Sequence, residues 1–348
     1  MWRGRPRPRI GYRTNAGSPV SLFLIIATTS SPTQGSGDGT SSDGRAELIH
    51  LFAMARILIS GASGLVGSAL VPSFESQGDE VNRLVRHAAT SAHKIRWDPM
   101  RAVPPELVSG FDAVIHLSGE SVAGRWTEAK KTRIRESRVV STQNLSRALA
   151  KAEKLPTTFI CASAIGYYGS RGAEILNEGS SSSAGFLAQV CREWESATAQ
   201  AAEAGIRTVN LRIGIVLSNN GGALKQMLLP FRLGVGGKIG SGQQWWSWIH
   251  IHDLVSAVHH ILRHEALRGP VNMNAPNPVT NAEFTRTLAE VLKRPAILPI
   301  PAFAARLAFG ELADEGLLAS ARVEPKKLIE NGFQSAYPEL GPALRHLL

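Results

Sequence analysis

Short apolar runs alternate with longer stretches of mixed polarity from residue 55 onward. The runs, which end at glycine or polar residues, predict buried parallel strands at 56–60, 80–86, 113–117, 157–163 and 207–217. The stretches between them predict helices at about 64–77, 127–151 and 185–204. Repeated alternation of strands and helices is typical of a parallel sheet that helices cover on both faces. We therefore predict an α/β fold with a doubly wound parallel sheet.

The first 53 residues do not continue this pattern. They contain an arginine-rich start, a short apolar run at 20–27 and a Gly/Ser stretch at 30–44. The Gly/Ser stretch has too few apolar residues to offset the entropy of ordering, so we expect a flexible linker there. We interpret residues 1–53 as a disordered or spurious extension, with Met54 starting the compact part. An organelle transit peptide or a weak export signal is the alternative.

Composition excludes several classes of protein. The chain has 348 residues, of which 43% are hydrophobic and 19% charged, as in globular rather than disordered or fibrous proteins. Two cysteines are too few for a disulfide framework or for a structural zinc site with paired cysteines. The net charge of the chain is +10, and beyond the N-terminus its basic residues are scattered rather than clustered. The charge therefore does not by itself predict nucleic-acid binding.

A glycine-rich turn joins the first predicted strand to the first predicted helix. Gly61, Gly64 and Gly67 have the kind of spacing that binds dinucleotides in this setting. The first glycine permits a sharp turn, the second lets the backbone approach a pyrophosphate, and the third lets helix and strand pack closely. N–H groups at the start of the helix would face the phosphates, and the Ser63 hydroxyl is a further donor. The turn predicts dinucleotide binding, and a tight turn without a ligand is the alternative.

The end of the second strand indicates which dinucleotide binds. NAD enzymes usually carry Asp or Glu there, roughly twenty residues beyond the glycines, to hold the ribose hydroxyls. This chain has no acid at that point, and Arg86 is placed to form charge-assisted hydrogen bonds to a 2′-phosphate. A solvated surface arginine is the alternative for Arg86 taken alone. Together, the arginine and the missing acid predict NADP rather than NAD.

Several further short motifs follow the glycine turn along the sequence. They are LSGE at 117–120, RW at 125–126, SR at 137–138, GYY at 166–168, LPFRLG at 229–234, IGSG at 239–242, WIHIHD at 248–253, TNAEF at 280–284 and VEPKKL at 323–328. With the glycine turn, they resemble the extended short-chain dehydrogenase/reductase superfamily, and within it the atypical epimerase-like family 39U. The resemblance runs from about residue 55 to the C-terminus and implies a Rossmann-type NADP-binding fold with a smaller C-terminal substrate lobe.

The resemblance also implies a domain organisation and a cofactor site. We predict an N-terminal extension at 1–53, an NAD(P)-binding domain at 54–280, and a substrate lobe at 281–348 that includes a small family-specific domain from about 298. The predicted cofactor residues are Gly61, Ser63, Gly64, Leu65, Val66, Gly67, Val85, Arg86, Leu117, Ser118, Gly119, Arg138 and Val216. Residues 117–119 follow a predicted strand, and open α/β sheets bind ligands at such strand ends.

The catalytic residues depart from the superfamily pattern. The resemblance implies a serine, a tyrosine that exchanges a proton with the substrate oxygen, and a lysine four residues later that lowers the tyrosine pKa. Ser163 follows the fifth predicted strand as this pattern requires. The tyrosine–lysine pair is missing, because Phe186 lies near the tyrosine position and no lysine occurs from 155 to 224.

A substitute proton donor is therefore needed. Tyr168 is the candidate, with Ser163 orienting a substrate carbonyl or alcohol. Tyr167, Glu120 and Glu174 are the other candidates. A packing role for both tyrosines stays open, because a tyrosine without a nearby cation is a poor base at neutral pH.

Several other clusters have ordinary explanations. His250 and His252 alternate as metal ligands can, but no further pair completes a set, so we predict no metal site and expect Asp253 to cap a helix. The three tryptophans at 245–248 line either a substrate pocket or the core. We expect the apolar stretch 296–310 to pack inside the C-terminal lobe, and we assign no redox role to Cys161 or Cys191.

These observations favour an NADP-dependent oxidoreductase or epimerase acting on a small polar substrate. Sugar nucleotides are the substrate class of the wider superfamily, which is an argument from fold alone. The alternative is a catalytically inactive NADP-binding sensor or interaction protein, because the tyrosine–lysine pair is missing. We predict no nucleic-acid or membrane partner. We expect a cytoplasmic location, or organelle targeting or export if residues 1–53 are a genuine presequence.

Overall fold

Thirteen strands and ten α-helices occur in residues 54–348, which are the residues that the computed structural model describes. The strands are β1 (Arg56–Ser60), β2 (Glu80–Val85), β3 (Lys94–Arg96), β4 (Ala113–His116), β5 (Thr158–Ala164), β6 (Ile175–Leu176), β7 (Arg207–Ile213), β8 (Ile215–Leu217), β9 (Trp245–Trp246), β10 (Trp248–His250), β11 (Gly269–Met273), β12 (Val279–Thr280) and β13 (Arg322–Val323). The helices are α1 (Leu65–Ser76), α2 (Glu128–Leu149), α3 (Phe186–Ser196), α4 (Ala199–Glu203), α5 (Gly222–Arg232), α6 (Ile251–Arg263), α7 (Asn281–Leu292), α8 (Ala302–Phe309), α9 (Lys326–Glu330) and α10 (Leu340–Leu347). The predictions for residues 1–53 lie outside the described residues.

Seven strands form one sheet in the order β3–β2–β1–β4–β5–β7–β11. Every neighbouring pair in this sheet is parallel. The strand order reverses between β1 and β4, which is where open α/β sheets form a crevice at their carboxyl edge. The predicted fold class, a doubly wound parallel sheet of the Rossmann type, is confirmed.

Helices cover both faces of the sheet because side chains alternate along each strand. Ile57 and Ile59 of β1 belong to a buried cluster that includes residues of α1 and α6. Leu58, between them, belongs to the cluster on the opposite face, which includes Leu145 and Leu149 of α2. A third buried cluster joins α5, α7 and α10 in the C-terminal part.

Two predicted elements are each divided in the structure. The predicted strand at 207–217 breaks at Gly214, and β8 pairs with β10 instead of joining the central sheet. A Cβ on Gly214 would lie 2.7 Å from the carbonyl oxygen of Ser247, so the chain needs glycine where it leaves the sheet. The predicted helix at 185–204 is divided into α3 and α4. The sequence pattern also missed β3 and β11, which are the two edges of the sheet.

The apolar stretch 296–310 differs from expectation in its packing. Ala305 is buried, but Ile297, Leu298, Phe303 and Leu307 are exposed. The expectation that this stretch packs inside the lobe is therefore wrong for most of its large side chains. Among residues 54–348, none of the helices combines the length and apolarity that a bilayer span needs.

Candidate functional site

The glycine turn between β1 and α1 has the geometry that a phosphate cradle needs. Gly61 has a φ of +72°, and a Cβ there would lie 2.7 Å from the backbone of Leu117. A Cβ on Gly67 would lie 2.3 Å from the carbonyl oxygen of Gly61, so the helix packs against the turn only without a side chain at this position. Gly64 precedes α1, and no side chain caps the amino end of that helix. Its first N–H groups are thus available to an anion.

A cleft of about 640 Å³ opens at the carboxyl ends of β1, β2 and β4. Eight of the predicted cofactor residues line it, namely Gly61, Ser63, Gly64, Val85, Arg86, Leu117, Ser118 and Gly119. They meet at the point where the strand order reverses, so the fold gathers residues that are up to 58 positions apart in the chain. The cleft also contains Trp97 and Pro99, which the sequence analysis did not select.

Basic side chains line the cleft beside the end of β2. Arg86 is exposed there, next to Arg83 and Lys94. Arg83 forms a salt bridge with Glu75, while its Nε is buried without a partner within the described residues. Sequence reasoning missed Lys94 because it did not predict β3, the strand that carries this residue. The arrangement gives this end of the cleft a positive charge.

Arg138 of α2 lies behind the loop that follows β4. A Cβ on Gly119 would lie 3.2 Å from its Cζ atom. Its Nη1 donates to the carbonyl oxygens of Glu120 at 2.9 Å and Ile134 at 3.0 Å. The guanidinium lies 5.1 Å from the ring centre of Trp194, and burial lowers the pKa of Arg138. In this structure Arg138 therefore supports the loop and does not line the cleft.

The remaining predicted cofactor residues flank the cleft. Leu65 and Val66 form the first turn of α1. A Cβ on Gly222 would lie 2.9 Å from Cδ2 of Leu65 and 3.5 Å from the carbonyl oxygen of Val216. Val216 lies in β8 and pairs with Ile249 of β10. These contacts connect the start of α1 to the turn between β8 and α5.

A buried histidine ties three elements together beneath the cleft. The Nδ1 atom of His116 lies 2.6 Å from Oγ of Ser60, and its Nε2 lies 3.2 Å from Oγ of Ser141. The Ser141 hydroxyl donates to the carbonyl of Ser137 at 2.6 Å, so it accepts from Nε2–H, and Nδ1 accepts from Ser60. Burial lowers the pKa of His116 to about 3, which keeps the ring neutral. The hydrogen bonds from Ser60 through His116 to Ser141 connect the ends of β1 and β4 to α2.

Ser163 lies near the carboxyl end of β5 and is 3% exposed. Its hydroxyl donates to Oε1 of Glu195 in α3 at 2.7 Å. The same carboxylate accepts two hydrogen bonds from Arg212 of β7, each at 2.8 Å. Burial works against the charge of Arg212, but the hydrogen bonds and charge of Glu195 outweigh it and raise the pKa of Arg212. Ser163 and Arg212 are also direct partners in the sheet.

Tyr168 lies farther along the same network and is fully buried. Its hydroxyl donates to Oδ1 of Asn272 at 2.8 Å and accepts from Nη1 of Arg212 at 2.9 Å. Burial raises the pKa of Tyr168 to about 12. Tyr167 packs its ring 3.5 Å from the Arg212 guanidinium carbon. Both tyrosines therefore contact the buried arginine. Sequence reasoning missed the Glu195–Arg212 pair, because neither residue lies in a recognisable motif.

The start of α3 carries apolar residues where the superfamily has tyrosine and lysine. Phe186 is the first residue of α3, and Val190 is buried four residues later. The Phe186 ring lies 5.2 Å from the Trp126 ring and 5.0 Å from Nζ of Lys131. The carboxylate of Glu315 accepts from the N–H of Phe186 at 2.7 Å and from the next N–H at 2.6 Å. A carboxylate from the C-terminal part thus occupies the amino end of α3.

The histidines at 250 and 252 form a cap rather than a metal site. Nδ1 of His250 accepts from the N–H of His252 at 3.0 Å and so caps α6. Asp253, which we expected to be the cap, accepts from the backbone of Ala336 at 3.0 Å and Tyr337 at 2.9 Å, because the chain before α10 passes over it. In residues 54–348, no group of three or more His, Cys, Asp or Glu side chains is placed to hold a metal ion.

The tryptophans and cysteines are mainly core residues. Trp246 and Trp248 are buried, and Trp245 is half-buried with the guanidinium of Arg322 over its ring. Burial raises the pKa values of Cys161 and Cys191 to about 12, so both stay protonated thiols at neutral pH.

Comparisons with known proteins assign the chain to a family. Residues 57–275 match the model of the NAD dependent epimerase/dehydratase family, and residues 300–347 match a domain of unknown function, DUF1731. The chain belongs to the NAD-dependent epimerase/dehydratase family. Epimerase family protein Mb2239 of Mycobacterium bovis is 42% identical over 295 residues, which cover 84% of this chain and 97% of that protein. The human epimerase family protein SDR39U1 is 35% identical over 297 residues, with coverage of 84% and 99%.

Solved structures of this epimerase family agree with the assignment. The crystal structure of human SDR39U1 isoform 2 with NADPH matches with a TM-score of 0.78 at 34% identity, covering 84% of this chain and 98% of that one. A nucleoside-diphosphate sugar epimerase from Corynebacterium glutamicum matches with a TM-score of 0.71 at 38% identity, covering 87% and 60%. The resemblance to family 39U found in the sequence is thereby confirmed.

Proposed function

We propose that this epimerase-family protein is an NADP-dependent oxidoreductase or epimerase, with sugar nucleotides as the candidate substrate class. One observation carries the proposal: the cleft runs from the uncapped amino end of α1 to a basic cluster at the end of β2. The residues that line this end carry no carboxylate to hold an unmodified ribose. The NADPH in the human relative agrees with this assignment.

The residues present fit a phosphorylated dinucleotide. The glycine turn and the first N–H groups of α1 would hold the pyrophosphate, and Ser63 would add a hydroxyl donor. Arg86, with Arg83 and Lys94 beside it, would hold the 2′-phosphate. The segment 117–119 and Val216 would flank the rest of the cofactor, and Arg138 would support that segment from behind. When bound, the cofactor supplies hydride transfer.

Ser163 is the proposed catalytic residue of this chain. Its hydroxyl hydrogen is committed to Glu195, so its free lone pairs can accept a hydrogen bond from a substrate hydroxyl. The prediction that Tyr168 donates the proton loses support, because its one O–H hydrogen is donated to Asn272 and burial raises its pKa to about 12. We assign Tyr168 a positioning role instead, acting on Ser163 through Arg212 and Glu195.

The substrate class rests on a relative. The Corynebacterium protein is described as a nucleoside-diphosphate sugar epimerase and is 38% identical to this chain. A small, polar, anionic substrate of this type also suits a positively charged protein.

A fluorescence titration of the full chain with NADPH and NADH tests the cofactor. We expect tighter binding of NADPH, and we expect Arg86→Ala to weaken NADPH binding by about tenfold or more while leaving NADH binding nearly unchanged. The matched control is Arg147→Ala, which removes an exposed arginine of α2. Equal affinities for the two nucleotides, or binding of neither, would contradict the proposal.

A cofactor-binding sensor without catalysis is the second candidate. The observations that favour it are the apolar residues at the start of α3 and the buried hydroxyl of Tyr168. The test incubates the NADP-loaded protein with a panel of UDP-sugars and follows both nicotinamide absorbance and sugar interconversion by NMR. Turnover that is lost in Ser163→Ala supports the enzyme, and tight NADPH binding without any turnover across the panel supports the sensor.

A further inference from the structure

Exposed apolar side chains gather on two segments of the C-terminal part. Of the fifteen large apolar residues that are exposed in residues 54–348, nine lie at 229–235 and 297–309. They include Leu229, Leu233, Ile297, Leu298, Phe303 and Leu307, which are 51–78% exposed. Single exposed apolar residues need no explanation, but a gathered set of this size indicates an interaction surface.

The two segments lie side by side. The N–H of Ile300 donates to the carbonyl oxygen of Lys238, and the N–H of Gly240 donates to the carbonyl oxygen of Ile300, each at 2.8 Å. A Cβ on Gly234 would lie 3.5 Å from Cγ of Pro295, and a Cβ on Gly237 would lie 1.7 Å from the carbonyl oxygen of Leu298, so the chain at 234–240 packs on the chain at 295–300. The exposed apolar residues at 229–235 and 297–309 therefore lie on neighbouring parts of the protein surface.

Helices α5 and α8 each carry an exposed apolar stripe in this part of the surface. Leu229 and Leu233 are four residues apart at the end of α5, and Phe303 and Leu307 are four residues apart in α8. Side chains at this spacing lie on the same side of a helix. Neither stripe is covered by other described residues, since all four side chains are more than half exposed.

Basic residues surround the apolar side chains. Residues 222–240 and 291–310 contain no Asp or Glu, and they carry six exposed basic residues, namely Lys225, Arg232, Lys238, Lys293, Arg294 and Arg306. Within the described part of the chain, Arg306 alone of these forms a salt bridge, with Asp314. A groove of about 410 Å³ beside the apolar residues is lined by Lys238, Lys293, Arg294 and Arg286, with a single acid, Glu290.

We propose that this apolar–basic surface binds the face of an anionic lipid bilayer. The apolar side chains would enter the interface, and the lysines and arginines would contact lipid phosphates, as in peripheral amphipathic membrane anchors. Charge complementarity favours this occupant, because five exposed basic residues without a salt bridge within the described residues outnumber the one acid that lines the groove, and such a surface matches an anionic one. This inference goes beyond the proposed function and replaces the expectation that the protein has no membrane partner.

A second copy of the chain fits the same surface less well. A two-fold contact would place identical patches against each other. The five exposed basic residues that form no salt bridge within the described residues would then lie close to the same five residues of the other copy, and like charges across an interface are unfavourable.

Co-sedimentation with lipid vesicles tests the proposal. Residues 54–348 are used alongside the full chain, because they lie within one compact unit, Ala53–Leu348. Vesicles of phosphatidylcholine alone are compared with vesicles containing about one-third phosphatidylglycerol. We expect binding only to the anionic vesicles, and we expect it to weaken as salt is raised.

Two double variants probe the two parts of the surface. Phe303→Ser with Leu307→Ser, and Lys293→Glu with Arg294→Glu, should each reduce binding to anionic vesicles about tenfold or more. The matched controls are Ile329→Ser, an exposed apolar residue of α9, and Lys151→Glu with Lys154→Glu, two exposed lysines just after α2. NADPH binding should be unchanged in all four, which separates this inference from the cofactor assignment.

The proposal is overturned by three results. One is the absence of binding to anionic vesicles. Another is binding of residues 54–348 that the two surface variants do not reduce beyond their controls. The third is a concentration-dependent dimer that the Phe303 and Leu307 substitutions abolish, because it would identify a second copy as the occupant.

Discussion

At the scale of single residues, the Glu195 carboxylate connects the side chains of the site through hydrogen bonds. Its carboxylate accepts from Ser163 and twice from Arg212, whose side chain is 3% exposed. A buried guanidinium is stable only with such a partner, since its burial carries a large desolvation cost. Arg212 in turn fixes the Tyr168 hydroxyl, so one ion pair orients the proposed catalytic serine and both tyrosines.

Replacing Glu195 with glutamine tests this role. Glu195→Gln leaves Arg212 buried without a counter-charge, so we expect the free energy of unfolding to fall by about 3–5 kcal/mol. Urea unfolding measures the loss. The matched control is Glu290→Gln, which breaks the exposed pair with Arg286 and should cost less than about 1 kcal/mol. Equal losses in the two variants would mean that the Glu195–Arg212 pair does not stabilise the site.

The sequence predicted those site residues whose arrangement depends on neighbouring segments of the chain. Arg86 and the glycine turn lie on consecutive short segments, so spacing alone predicts where they meet. The Glu195–Arg212 pair joins α3 to β7, and nothing in either segment indicates that a charge there is buried rather than solvated. Tyr168 illustrates the same limit, because its burial depends on contacts with Asn272, which is 104 residues away.

At the scale of elements, glycine decides where the chain can turn and pack. Gly214 divides the long predicted strand, and β8 then carries Val216 out of the central sheet toward the start of α1. Apolar periodicity could not predict this break, because residues 207–217 are apolar enough to form one strand. The missed edges β3 and β11 have a similar cause, since edge strands are short or only partly apolar and give a weak pattern.

Gly67 provides a test of the contact between α1 and β1. Gly67→Ala places a Cβ 2.3 Å from the carbonyl oxygen of Gly61, so the helix must move away from the turn. We expect a loss of about 1–3 kcal/mol in the free energy of unfolding and weaker NADPH binding. The control is Gly341→Ala in α10, where the nearest atom is 3.5 Å away and alanine should be neutral or stabilising by up to about 1 kcal/mol. If both variants behave alike, the close packing of α1 is not required.

At the scale of the whole molecule, the C-terminal part reaches back to the dinucleotide-binding fold. Glu315 caps α3, Lys131 of α2 bonds to Glu311, and the Arg125 side chain donates to the carbonyl of Leu307 at 3.1 Å. These contacts lie beside the helix start where the superfamily has its tyrosine. Family resemblance predicted the C-terminal lobe but not this connection, because its donors and acceptors are separated by more than 120 residues.

Removing the Glu315 carboxylate should weaken this connection specifically. Glu315→Ala leaves the N–H groups of Phe186 and Leu187 without acceptors at the positive end of α3, so we expect a loss of about 1–2 kcal/mol in the free energy of unfolding. Hydrogen exchange of those two amides should accelerate, because in the native protein they are held by a residue from another part of the chain. The control is Glu330→Ala on α9, whose exposed pair with Lys326 should contribute less than about 0.5 kcal/mol. Unchanged exchange at 186 and 187 would mean that the start of α3 is fixed by the packing of Phe186 against Trp126 rather than by the C-terminal part.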